Sequence, residues 1–152
     1  MAGVAAGALA LAGGAAFADS APLPDPFSKF STADGVVLAV TSEFAPAGGR
    51  IRVAIYENEA NFLETAQSKR EAIVGDDGIA LLTISDLAPG DYAFVAYFDK
   101  NGDGKLNRSL IGKPKEPYIF SNNVRPKLRK PTFAETKVAV APGEVVVLTL
   151  QD

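Results

Sequence analysis

Beyond residue 35, the apolar residues of this 152-residue chain recur at every second position or in short runs, and nowhere do they sustain a helical repeat. A period of two sends successive side chains to opposite faces of an extended backbone. Strands are therefore predicted over residues 36–41, 51–56, 79–84, 92–98, 136–140 and 145–150. In the second of these, Ile51, Val53 and Ile55 share one face while Arg50, Arg52 and Ala54 share the other, so one side is buried. Residues 92–98 are apolar on both sides, as a central strand requires. Turn residues separate the runs at Ala47-Gly48-Gly49, Asp76-Asp77-Gly78, Ala88-Pro89-Gly90 and Ala141-Pro142-Gly143. Residues 58–67 alone have the pattern of a short helix, with Asn58 as its cap. About seven short strands punctuated in this way predict an all-β, antiparallel sandwich of the immunoglobulin-like or prealbumin-like kind.

The residue inventory narrows the chemistry. The chain contains no Cys and no His, which excludes disulfides, thiolate and imidazole nucleophiles, Cys-based zinc sites and a Ser-His-Asp triad. Carboxylates, Lys and Tyr are what remain, so a binding or structural module is expected ahead of an enzyme.

Residues 1–18 are uncharged and rich in Ala, Gly, Val and Leu, and they end in Ala16-Phe17-Ala18. Small residues at those positions suit cleavage by a signal peptidase, so a signal peptide is expected there, with a periplasmic or secreted mature protein. No later segment reaches the roughly 18 apolar residues of a transmembrane span. Pro22, Pro24 and Pro26 then favour an extended linker over residues 19–34. One sandwich domain is expected over 35–152.

Residues 99–131 break the strand pattern, being rich in Gly, Asn, Pro and Lys, and are expected to form one long ordered loop. Its entrance places Asp99, Asn101, Asp103, Lys105 and Asn107 at positions 1, 3, 5, 7 and 9 of a run with Gly104 at position 6. Alternate oxygen side chains, plus the carbonyl at position 7, are how a tight loop converges on a hard cation, so calcium is the expected ion. Position 12 is Leu110 where a bidentate carboxylate belongs, and Glu116 is the nearest substitute. The competing explanation is a turn, since Asn-Gly and Asp-Gly pairs supply positive φ angles.

Charge is also uneven. Residues 105–130 carry eight Lys and Arg against the single Glu116, whereas the rest of the chain is strongly acidic. A basic loop of this kind is expected to meet an anionic glycan, a lipid headgroup or an acidic protein. Nucleic acid is not expected. Lys113, Lys115, Tyr118, Arg125 and Lys127 are the candidate ligand-binding residues. The alternative is that the loop neutralises the chain's own acidic body.

The segment Asp86-Leu87-Ala88-Pro89-Gly90-Asp91-Tyr92-Ala93 is followed in order by four motifs: the Asp99 to Asn107 run; Leu110-Ile111-Gly112-Lys113-Pro114-Lys115-Glu116-Pro117-Tyr118; Phe120-Ser121-Asn122-Asn123; and Pro131-Thr132-Phe133. The leading segment resembles the strand-turn-strand signature of prealbumin-like and carboxypeptidase-regulatory-like sandwiches. The ordered set resembles the secreted bacterial proteins grouped as domain of unknown function 2141. That resemblance implies export and a β-sandwich, and no particular activity. The combined expectation is a non-catalytic exported module with a basic ligand-binding loop and a calcium ion at its start. The rival is a carbohydrate-active enzyme that uses two of Asp99, Asp103 and Glu116.

Overall fold

The computed structural model describes residues 27–107, 113–125 and 128–151. The expected signal peptide, the first part of the expected linker and Lys127 lie outside the described residues. Among those described, eight strands form two sheets: β1 (Val36–Ser42), β2 (Arg50–Tyr56), β3 (Ser68–Ile73), β4 (Ile79–Ile84), β5 (Gly90–Phe98), β6 (Tyr118–Phe120), β7 (Val138–Val140) and β8 (Val145–Leu150). The smaller sheet has the order β4-β1-β8, and the larger runs β3-β2-β5-β6 with β7 also paired to β5. Pairing is antiparallel except between β1 and β8, which are parallel. The all-β sandwich is as expected, and that one parallel pair is a departure from a wholly antiparallel reading. No helix among the described residues is long and apolar enough to cross a membrane.

The alternation in β2 sets up the core. Ile51, Val53 and Ile55 are fully buried, as are Leu38 and Val40 of β1, Phe94 of β5, Ile119 of β6 and Leu148 of β8. These side chains fill the space between the sheets. A second, smaller cluster lies on the other face of the larger sheet, where Phe62 packs edge-on to Tyr56 and Phe133, beside Val95 and Phe120.

Several local expectations are corrected. Residues 58–67 form turns in place of a helix, although the Asn58 side chain does accept the Asn61 N–H at 2.9 Å. Leu63 has φ of 64°, which breaks a right-handed helix, and the segment serves to deliver Phe62 and Leu63 to the outer cluster. Strand β3 was not foreseen, because Ser68-Lys69-Arg70-Glu71 is polar throughout. The loop after Asp99 contains strand β6. Thr136 belongs to a single helical turn, α1 (Phe133–Thr136), so β7 begins only at Val138. Thr132 and Glu135 cap that turn reciprocally.

Strands β6 and β7 share one edge of β5 and leave a gap at Phe94. Ser121 closes it: its Oγ accepts the Phe94 N–H at 3.0 Å and donates to the Thr136 carbonyl. Asn122 and Asn123 both take the left-handed conformation, with φ of 62° and 54°. The Asn122 side chain donates to the Glu135 and Lys137 carbonyls, and that of Asn123 accepts the Thr149 N–H of β8. Short polar side chains thereby satisfy backbone that leaves the sheet.

Candidate ligand groove and the loop beside it

The outer face of the larger sheet carries two rows of side chains fixed by strand register. Arg52 of β2 lies opposite Glu71 of β3 on one side and Tyr97 of β5 on the other, and Tyr97 lies opposite Tyr118 of β6. Glu71, Arg52, Tyr97 and Tyr118 thus stand side by side across four strands. The next row on the same face is Lys69, Ala54, Val95 and Phe120. Ala54 and Val95 are short, which leaves a hollow between the lysine and the phenylalanine. The result is a groove of about 680 Å³ floored by these rows. Val53, Tyr56, Leu63, Arg70, Pro114, residues 104–106 and residues 128–131 complete its lining.

The first row is electrostatically ordered. Arg52 donates from Nε to Asp99 Oδ2 at 3.0 Å, and its Nη1 lies 2.9 Å from Glu71 Oε2. The hydrogen bond to Asp99 holds the guanidinium pKa above its ordinary value. Burial, reinforced by the Asp99 charge, pushes the Tyr97 phenol up to about 12. Tyr97 therefore keeps its proton at neutral pH and donates it to the Gly104 carbonyl at 2.8 Å.

That contact ties the groove to the Asp99 loop, which is built around two buried carboxylates. Asp99 Oδ1 accepts the Gly102 N–H, and Oδ2 accepts the Gly104 N–H as well as Arg52. Glu116 Oε1 and Oε2 accept the N–H groups of Lys100 and Asn107. Both carboxylates are almost completely buried, at 3% and 5% exposure, and both act as fixed acceptors for loop amides. Gly102 and Gly104 have φ of 73° and 76°, which lets the chain curl tightly enough to present those amides.

Asp103 stands apart from this pair, exposed at the loop tip. It accepts the Lys105 N–H and the side-chain N–H groups of Asn101 and Asn107, and the bond from Asn107 is the main cause of its lowered pKa. The loop thus brings Asn101, Asp103 and Asn107 together, while Asp99 and Glu116 are turned to its backbone amides. The described residues nevertheless hold no group of three or more His, Cys, Asp or Glu that could hold a metal ion. Any cation here would rely on carboxamide and carbonyl oxygens for much of its shell.

The predicted ligand residues fare unequally. Tyr118 lines the groove, and Lys113 and Lys115 are exposed on either side of Pro114, which also lines it. Arg125 turns away to Gln151 at 2.6 Å. Sequence reasoning missed Arg52, Lys69, Glu71 and Tyr97. The alternation that put Arg52 on the exposed face of a core strand was the available signal for one of them. The groove rim holds Lys69, Lys105 and Lys130, all exposed and without an ion pair among the described residues. Arg129 is different, being paired with Glu135, which it holds well below the usual carboxylate range, at about 2. The basic segment is therefore partly neutralised locally and partly open.

Fold and groove together define a small all-β sandwich whose larger sheet presents a cationic, aromatic face beside a carboxylate-anchored loop. The chain belongs to the bacterial family of uncharacterized conserved proteins designated DUF2141, whose model matches residues 40–147. No curated protein and no solved structure matches the chain.

Proposed function

We propose that the protein is an exported, non-catalytic binding module that takes an acidic glycan along the outer face of its larger sheet. The observation that carries this reading is the pair of rows: tyrosine rings and short apolar residues for sugar faces, with Arg52, Lys69, Lys105 and Lys130 for anionic groups. An extended peptide fits less well. The floor is centred on β2 and β5, whose backbone groups are already paired between strands, so a peptide lying along the rows would gain no main-chain ladder there. Glycoside hydrolysis is disfavoured on similar grounds: Glu71 is the one carboxylate among the described lining residues, and it is bound to Arg50 and Arg52.

Titration with an oligogalacturonate checks this, with its neutral methyl ester as control. Binding of the acid form that weakens with added salt, and is lost in a Lys69/Lys105/Lys130→Ala variant, is the expected result. Equal binding of acid and ester, or preferential binding of polyglutamate or anionic vesicles, contradicts it.

A calcium ion at the loop tip is the second part of the proposal. Rotating the Asn101 and Asn107 carboxamides would exchange N–H donors for oxygen ligands around Asp103, and the Lys105 carbonyl is adjacent in the chain. At ten times its dissociation constant, calcium would stabilise the fold by about 1.4 kcal/mol. A melting temperature unchanged by millimolar calcium and by EDTA would remove it.

A further inference from the structure

Arg52 is placed unlike the lysines of the groove, and unlike Arg70, which is similarly shielded but has its Nη2 bound to Asp86. Lys69, Lys105 and Lys130 are exposed on long flexible stems, whereas the Arg52 side chain is only 28% exposed and sits in the floor between β3 and β5. Its Nε is committed to Asp99, whose side chain is completely buried, so the guanidinium plane is fixed from behind. Its Nη1 faces Glu71. Its Nη2 has no hydrogen-bond partner among the described residues and lies beside Gly104, where an added Cβ would stand 3.8 Å away. Glu71 in turn is shared, with Oε2 also 3.1 Å from Nη1 of Arg50.

We propose, resting on the glycan reading above, that Arg52 is the anchor that recognises a uronate carboxylate, and that Glu71 is an internal competitor for it. The ligand carboxylate binds end-on across Nη1 and Nη2, and Glu71 shifts onto Arg50. A planar carboxylate matches that fork in both spacing and charge, which an ammonium group cannot reproduce. The sugar ring is then placed on Tyr118, the partly exposed aromatic of the row, with the buried Tyr97 standing between it and Arg52. Specificity arises because a neutral sugar leaves the Arg52–Glu71 pair intact and gains only ring contacts.

Isothermal titration with the oligogalacturonate, its methyl ester and a sulfated oligosaccharide tests the assignment on four proteins: wild type, Arg52→Lys, Glu71→Gln and the triple lysine variant. Arg52→Lys should weaken acid binding about tenfold, the loss expected for a bidentate charge-assisted contact. Glu71→Gln should tighten it roughly threefold, because the competing charge is gone. A purely structural role for the pair predicts that both substitutions weaken binding together with a fall in melting temperature. The anchor assignment is overturned if Arg52→Lys binds like wild type, if Glu71→Gln weakens binding, or if the sulfated ligand is preferred. If the lysine variant loses binding while Arg52→Lys keeps it, the groove stands and only the anchor falls. Failure of the wild-type protein to bind any of the acidic ligands overturns both.

Discussion

The two faces of the larger sheet are made by the same strands and obey different rules. On the inner face, Ile51, Val53 and Ile55 alternate with their neighbours and meet Phe94 and Ile119 in a dry core. On the outer face, Arg52 and Ala54 meet partners from β3 and β5 that are from 15 to 45 residues distant along the chain. Apolar burial governs the whole of the first face; on the second it is confined to the cluster around Phe62, and strand register sets the polar row. The lesson is that a period-two pattern announces its buried half directly, while what the other half assembles depends on how strands align.

The largest effect should come from the inner face. Phe94→Ala removes a fully buried ring from the centre of the core and should cost about 3–5 kcal/mol in urea unfolding. An outer-face truncation such as Tyr118→Ala should cost distinctly less and be felt in ligand binding. If the two losses were equal, the contrast between a packed core and an open functional face would collapse.

The next effect tests the link between face and loop. Asp99→Ala leaves the Arg52 Nε and the Gly102 and Gly104 amides without their acceptor, and should cost about 2–4 kcal/mol. Hydrogen exchange at Gly102 and Gly104 should accelerate in the same variant. Unchanged exchange there would mean that the loop is held by something other than this carboxylate.

A smaller and more local effect concerns Glu135. Its folded-state pKa of about 2 lies below that of an unfolded glutamate, so its pairing with Arg129 contributes stability above pH ~4.3 and loses it as the pH falls toward about 2. In an NMR titration, Arg129→Ala should return Glu135 toward the ordinary carboxylate range. A titration that does not move would show that the capping contacts with Thr132 alone set it.

The same division explains what could be read from the sequence. Strands β4 and β8 were placed residue for residue, and β1, β2 and β5 to within a residue or two, because burial stamps a pattern on them. Strand β3 was invisible: an edge strand with one neighbour and polar side chains such as Lys69 and Glu71 leaves no apolar trace. Three-residue β6 was hidden inside a loop for want of length. At the site, the Asn101-Gly102 and Asp103-Gly104 pairs marked a tight turn, and both glycines take positive φ. Those pairs did not reveal that Asp99 and Glu116 are spent on backbone amides and Arg52. Those partners come from the sheet beneath and from sixteen residues further on.

The most direct test of the central claim is amide and side-chain chemical-shift mapping of the labelled protein on addition of oligogalacturonate. The account predicts saturable shifts concentrated on Arg52, Ala54, Lys69, Tyr97 and Tyr118, with the methyl ester producing few. Saturable shifts centred on the smaller sheet or on the β3–β4 turn, with this face silent, would contradict it.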